Sequence, residues 1–199
     1  LVPLMVKDKV EKLMEKVGEN LSELDQEEVE KFIKALLRTV GEKRIFVVGV
    51  GRSGLVARAF AMRLMHVGFN VYVVGETVTP PIREGDLLVA VSGSGETRYT
   101  VTVAQEAKRL GAKVVAITSY PESELGKTAD LKVIIPGRIL PESGRDYEAR
   151  QISGEHEPLT PLGTLFELSA MIFFDALIAE LVYRLGKSEE DLEGRHATV

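Results

Sequence analysis

The sequence predicts an α/β fold: a three-layer α-β-α sandwich around a five-stranded parallel sheet, preceded by a helical leader. Three observations carry this. Five short runs rich in valine and isoleucine, Ile45–Val48, Val71–Val74, Leu87–Val91, Val114–Ile117 and Leu131–Ile135, are almost continuously apolar, as strands buried on both faces are. Stretches with helical periodicity separate most of them, the alternation that builds parallel sheets. Two glycine-rich turns, Gly49–Gly54 and Ser92–Thr97, follow the first and third runs. A flavodoxin-like strand order, 2-1-3-4-5, would make strands 1 and 3 neighbours, and their exits would then flank the switch point where ligands bind.

The elements follow in order. Residues 5–40 read as a helical pair. Val6, Val10, Leu13, Met14 and Val17 share one face, and Val29, Phe32, Ile33, Leu36, Leu37 and Val40 share another. Gly18 is expected to interrupt the pair, and Asp25 with Glu28 forms a capping-box pattern at the second start. A helix from Ser53 to Val67 follows strand 1, and one from Arg98 to Leu110 follows strand 3, with Gly111 as its cap. No helix is expected between Gly75 and Asp86, where Pro80 and Pro81 fall. Residues 136–160 are polar and irregular, the signature of a lid or of poor order. A last helix is expected over Thr164 to Leu185, with Phe166, Met171, Ile172, Phe173, Leu177, Ile178 and Leu181 as core residues. The chain reads as one domain: 1–40 leader, 41–136 sheet core, 137–160 loop, 161–199 helix and tail.

Bulk properties narrow the functional classes. The 199 residues include 25 Lys and Arg against 30 Asp and Glu, a net charge of −5, which disfavours a nucleic-acid partner. Cysteine is absent, so disulfides and thiolate catalysis are excluded and the cytoplasm is the expected compartment. No apolar run approaches a membrane span. The start, Leu1-Val2-Pro3-Leu4-Met5, turns charged too soon for a signal peptide. No metal-ligand spacing and no Ser-His-Asp arrangement is evident, so neither metal nor cofactor is expected.

Ser92-Gly93-Ser94-Gly95-Glu96-Thr97 is the most telling stretch. Glycines admit close backbone approach. A helix start adds unpaired N–H donors and a partial positive charge. Ser92, Ser94 and Thr97 add hydroxyl donors, so a phosphate group is the natural guest. Gly49-Val50-Gly51-Arg52-Ser53-Gly54 fits the dinucleotide pattern G-x-G-x-x-G. Its Arg52-Ser53 pair and the second glycine turn beside it argue against an extended nucleotide. Glu167 stands three residues after Thr164. It reads either as the far half of a capping box or as a general base for a carbon acid. By position alone His196 is a tail residue, His156 a solvated loop residue, and His66 a cap or packed ring near Gly68.

With these residues in place, the chain resembles the sugar isomerase (SIS) family of phosphosugar-binding domains. The carriers are Gly49–Gly54, Ala61–His66, Val74-Gly75-Glu76-Thr77, Ser92–Thr97, Leu162–Glu167 and Arg195-His196. Together they point to its hexuloisomerase branch. The resemblance implies the flavodoxin-like sandwich, with its 2-1-3-4-5 order, and a homotetramer without metal or redox cofactor. It also implies interconversion of 3-hexulose 6-phosphate and fructose 6-phosphate through a cis-enediol(ate), in the ribulose monophosphate pathway. It implies phosphate binding by Ser92, Gly93, Ser94 and Thr97 with Ser53, and catalysis by Glu167 and His196. Arg52 would stabilise enolate charge. An isomerase of another sugar phosphate, such as arabinose 5-phosphate, and a non-catalytic phosphosugar-binding regulator are the alternative readings.

Overall fold

The computed structural model describes residues 5–137, 152, 165–188, 191–192 and 194. The elements are α1 (Val6–Ser22), α2 (Gln26–Leu37), β1 (Ile45–Gly49), α3 (Gly51–Val67), β2 (Val71–Val73), β3 (Leu87–Val91), α4 (Arg98–Arg109), β4 (Lys113–Thr118), α5 (Glu124–Thr128), β5 (Leu131–Ile134) and α6 (Leu165–Arg184). The strands form one parallel sheet of order β2-β1-β3-β4-β5, the order that the family resemblance implies.

Side chains alternate across the strands. Ile45, Val47, Leu87, Val89, Val115 and Ile117 point toward α2, α3 and α6, where they meet Phe32, Phe60 and Phe174. Phe46, Val48, Leu88, Ala90, Val114 and Ala116 point the other way, toward Val101 and Ala104 of α4 and Leu125 of α5. Phe60 of α3 stacks on Phe174 of α6 with centroids 4.1 Å apart. Only the three inner strands are buried throughout their cores. β2 is half-exposed along its length and β5 buries fully only Val133. Edge strands have a neighbour on one side alone, so the expectation of burial on both faces fails there.

Other local expectations are corrected. Gly18 does not interrupt α1, which runs through it to Ser22. A glycine inside a helix costs about 1 kcal/mol relative to alanine, too little to break a 17-residue helix docked on α6. The break comes at Asp25, whose carboxylate accepts the Glu27 and Glu28 amides at 2.8 and 3.2 Å. Glu28 does not return the bond. Its half-buried carboxyl turns to the Ile134 amide, and burial pushes its pKa up. The helix expected from Ser53 begins two residues earlier, at Gly51. The five-residue α5 lacks any periodic pattern in the sequence. In α6, Ile172 is half exposed and lines a groove against α1 instead of the core. Thr164 and most of the 136–160 stretch lie outside the described residues.

Candidate functional site

Two strand exits converge at the carboxyl edge of the sheet. β1 and β3 run side by side, with Gly49 opposite Val91. Neighbouring strands lie about 4.8 Å apart, so the residues that follow each are adjacent. α3 and α4 therefore start next to one another. Both helices therefore point their N-terminal ends, the ends that favour anions, to the same edge of the sheet.

The first turn is compact because of its glycines. A Cβ on Gly49 would sit 2.9 Å from the Ser53 backbone, and one on Gly54 would sit 2.8 Å from the Gly49 carbonyl oxygen. Helix and strand thus touch without a side chain between them. Gly51, at φ +58°, turns the chain into the helix. Ser53 is buried and Arg52 exposed, both in the first turn of α3 rather than in a loop.

The second turn is held by its own hydroxyls. Ser92 Oγ accepts the Gly95 amide at 3.1 Å and pairs with Thr97 Oγ1 at 3.1 Å. Ser94 Oγ accepts the Glu96 amide at 3.2 Å, which leaves its own hydrogen to donate outward. Thr97 is the N-cap residue of α4, yet its hydroxyl serves Ser92 rather than a helix amide. Ser92 and Thr97 are buried, and Ser94 is partly open to solvent.

A second layer grips this turn from β4 and α5. The Ser119 amide and the Thr118 hydroxyl donate to the Gly93 carbonyl at 3.1 and 3.3 Å. The Leu125 amide donates to the Gly95 carbonyl at 3.0 Å. Glu96 Oε1 accepts the Glu124 amide at 3.0 Å. None of these partners stands out in the sequence, because they follow the turn by more than twenty residues. The one local signal is the Ser123-x-x-Gly126 cap, with Ser123 Oγ accepting the Gly126 amide at 3.2 Å.

Glu167 lies in the first turn of α6, 5% exposed, with Oε2 closed to solvent. Burying a carboxylate is costly. The start of α6 sits by the exit of β5. Asn20 Nδ2 donates to the Pro136 carbonyl at 3.2 Å and to Ser169 Oγ at 3.3 Å, and Gly137 packs against Leu165. The structure thus brings Arg52 and Ser53 to the same edge as Ser92, Gly93, Ser94 and Thr97. Glu167 stands in the first turn of α6, the helix that follows β5. His196 and His156 lie outside the described residues. His66 is buried in the last turn of α3. Glu76 pairs with Arg58 of α3 just past β2.

Residues 40–140 match the family model described as the SIS domain. An uncharacterized protein of Aeropyrum pernix is 54% identical over 181 residues, spanning 90% of this chain and 85% of the relative. The 3-hexulose-6-phosphate isomerase of Bacillus subtilis is 41% identical over 195 residues, spanning 94% of this chain and 99% of its own. A crystal structure from Methanococcus jannaschii, inferred to have a molecular function of 3-hexulose-6-phosphate isomerase, matches with a TM-score of 0.75 at 33% identity. It covers 98% of this chain and 99% of that one.

Proposed function

This chain belongs to the SIS domain family, and from that premise we propose that it interconverts 3-hexulose 6-phosphate and fructose 6-phosphate, within the ribulose monophosphate pathway. The observation that carries the reading is the register of β1 and β3, Gly49 opposite Val91. It supports the reading by bringing two helix starts and their hydroxyls to one edge of the sheet, in a chain 41% identical to a named 3-hexulose-6-phosphate isomerase.

The phosphate monoester takes the Ser92–Thr97 turn, with donors from the Ser94 hydroxyl, from whichever of the paired Ser92 and Thr97 hydroxyls keeps its hydrogen free, and from the Gly93 backbone. Ser53 completes the seat from the α3 side. This grip is remote from the reacting carbons, so its binding energy serves to orient them. The carbonyl moves from C3 to C2. Glu167 removes the proton from C2, a cis-enediolate forms, and the same carboxyl returns the proton to C3. His196 passes a proton between the two oxygens, a task suited to imidazole near neutral pH. Arg52 stabilises the enediolate charge. One carbon is oxidised as its neighbour is reduced, so the sugar needs no external redox partner. The enzyme works as a cytoplasmic homotetramer.

The test is turnover of 3-hexulose 6-phosphate read as fructose 6-phosphate formed, beside the same assay with arabinose 5-phosphate. Turnover of the hexulose alone is expected. Turnover of the pentose alone, or binding without turnover, overturns the assignment. In the same assay Glu167→Gln is expected to lower kcat about a thousandfold, within the range of lost acid–base catalysis, with KM little changed. A variant of near-native kcat removes Glu167 from the mechanism.

A further inference from the structure

We infer that Glu96 is a positioning residue, whose bond to the Glu124 amide fixes the Ser92–Thr97 turn in the shape that receives a phosphate monoester. The inference rests on, and deepens, the reading of that turn as the phosphate seat.

A carboxylate is a poor neighbour for an anion seat. Its charge repels the guest, and nothing in the turn's own conformation requires it. The structure gives this carboxylate another use. Glu96 Oε1 accepts the amide of Glu124, the first residue of α5, at 3.0 Å. The backbone amide of the same Glu96 donates to Ser94 Oγ at 3.2 Å. The next residue, Thr97, is paired through its hydroxyl with Ser92. Glu96 therefore lies between two of the hydroxyls assigned to the phosphate. Holding its side chain holds the amide that orients Ser94 and the position from which Thr97 reaches Ser92.

The attachment is part of a larger seam. Gly93 and Gly95 accept bonds from Ser119, Thr118 and Leu125, and a Cβ on Gly95 would lie 1.9 Å from Ser123 Oγ. Those ties fix the glycines from below. Glu96 is exposed, and its tie fixes the rim, where the hydroxyls must be aimed.

The experiment uses the full chain and three variants. Glu96→Ala deletes the acceptor, and Glu96→Gln keeps an oxygen acceptor without the charge. Glu124→Pro deletes the donor at a first helical position, where proline is tolerated. Ser123 before it already has φ −64° and ψ 166°, as a residue preceding proline prefers. Readouts are kcat and KM for 3-hexulose 6-phosphate, the inhibition constant of inorganic phosphate, and thermal unfolding.

Glu96→Ala is expected to raise KM and the phosphate inhibition constant about tenfold, the effect of one lost hydrogen bond to a charged group, with kcat within about twofold. Glu96→Gln is expected to restore most of that loss. Glu124→Pro is expected to match Glu96→Ala, and the double variant to add nothing further, as partners in one bond behave. Unchanged constants in Glu96→Ala overturn the inference. So does a collapse of kcat in both Glu96 variants, or full additivity with Glu124→Pro. Ser94→Ala separates this from the parent reading. If it leaves KM and phosphate inhibition untouched, the phosphate seat itself is misplaced. If Ser94→Ala weakens both while Glu96→Ala does not, only the role of Glu96 fails.

Discussion

At Gly95 the backbone stands at φ +68° and the α-carbon faces Ser123 with no room for a methyl group. Ser123 Oγ is itself committed, donating to the Tyr120 carbonyl at 2.7 Å while capping α5 through the Gly126 amide. Alanine at 95 would add a left-handed penalty of about 1–2 kcal/mol and displace a cap worth about 1 kcal/mol. Gly95→Ala is expected to lose at least about 2 kcal/mol of stability, read as a lower urea midpoint, together with a raised KM. A variant as stable as the native chain would mean that the turn relaxes freely and that its clamp is not rigid. The residues of this turn were visible in the sequence because small hydroxyls and glycines cluster there within six positions. The clamp was not. A carboxylate whose partner lies 28 residues downstream carries no local signature, and Glu96 and Glu76 look alike until one is seen capping α5 and the other paired with Arg58.

Helices α2 and α6 are joined at their outer surface by Arg184. Its guanidinium donates to both oxygens of Glu30 at 2.9 and 2.8 Å and to Glu180 at 2.6 Å. The Arg184 hydrogen bond holds the Glu30 carboxyl below its ordinary value. A carboxylate with a lowered folded pKa stabilises the fold above its unfolded pKa of about 4.3. That contribution is lost as pH falls through the lowered folded value. Glu30→Gln is therefore expected to lower the melting temperature at pH 7 and to leave it unchanged near pH 2. An equal loss at both pH values would show that packing, rather than charge, joins the two helices. Element boundaries were readable where periodicity is long, as in α4, which ends one residue before the expected Leu110. They were not where a single glycine decides. Gly51 could be a loop residue or a helix start by sequence, and only the bond from the Gly54 amide to the Val50 carbonyl at 3.2 Å places the start of α3 two residues early.

For the whole molecule, the five parallel strands follow from the valine-rich runs and the two helical layers from the helices that alternate with them, whereas the strand order came with the family resemblance and not from the runs themselves. Edge exposure does not follow, because the same valine in β2 or β3 reads alike until its neighbours are known. Among the described residues no helix is long and apolar enough to cross a membrane, yet apolar side chains reach solvent on several helices. Leu55, Met62 and Met65 lie exposed on α3, and Val10, Met14 and Ile172 lie along the groove between α1 and α6. Such patches support the proposed tetramer, since a monomer gains nothing by showing them to water. Sedimentation velocity is expected to report four times the 21.9 kDa of one chain. A monomeric species at working concentration would overturn that assembly.

The shortness of β2 bears on how the chain behaves in a crowd. This rim of the sheet offers a stranger only three residues to zip against, and Arg58 fastens the chain where it leaves. So brief a ledge gives little purchase to an invading strand. Growth of the sheet from copy to copy into fibres is thereby discouraged at the margin where a parallel array is otherwise most vulnerable.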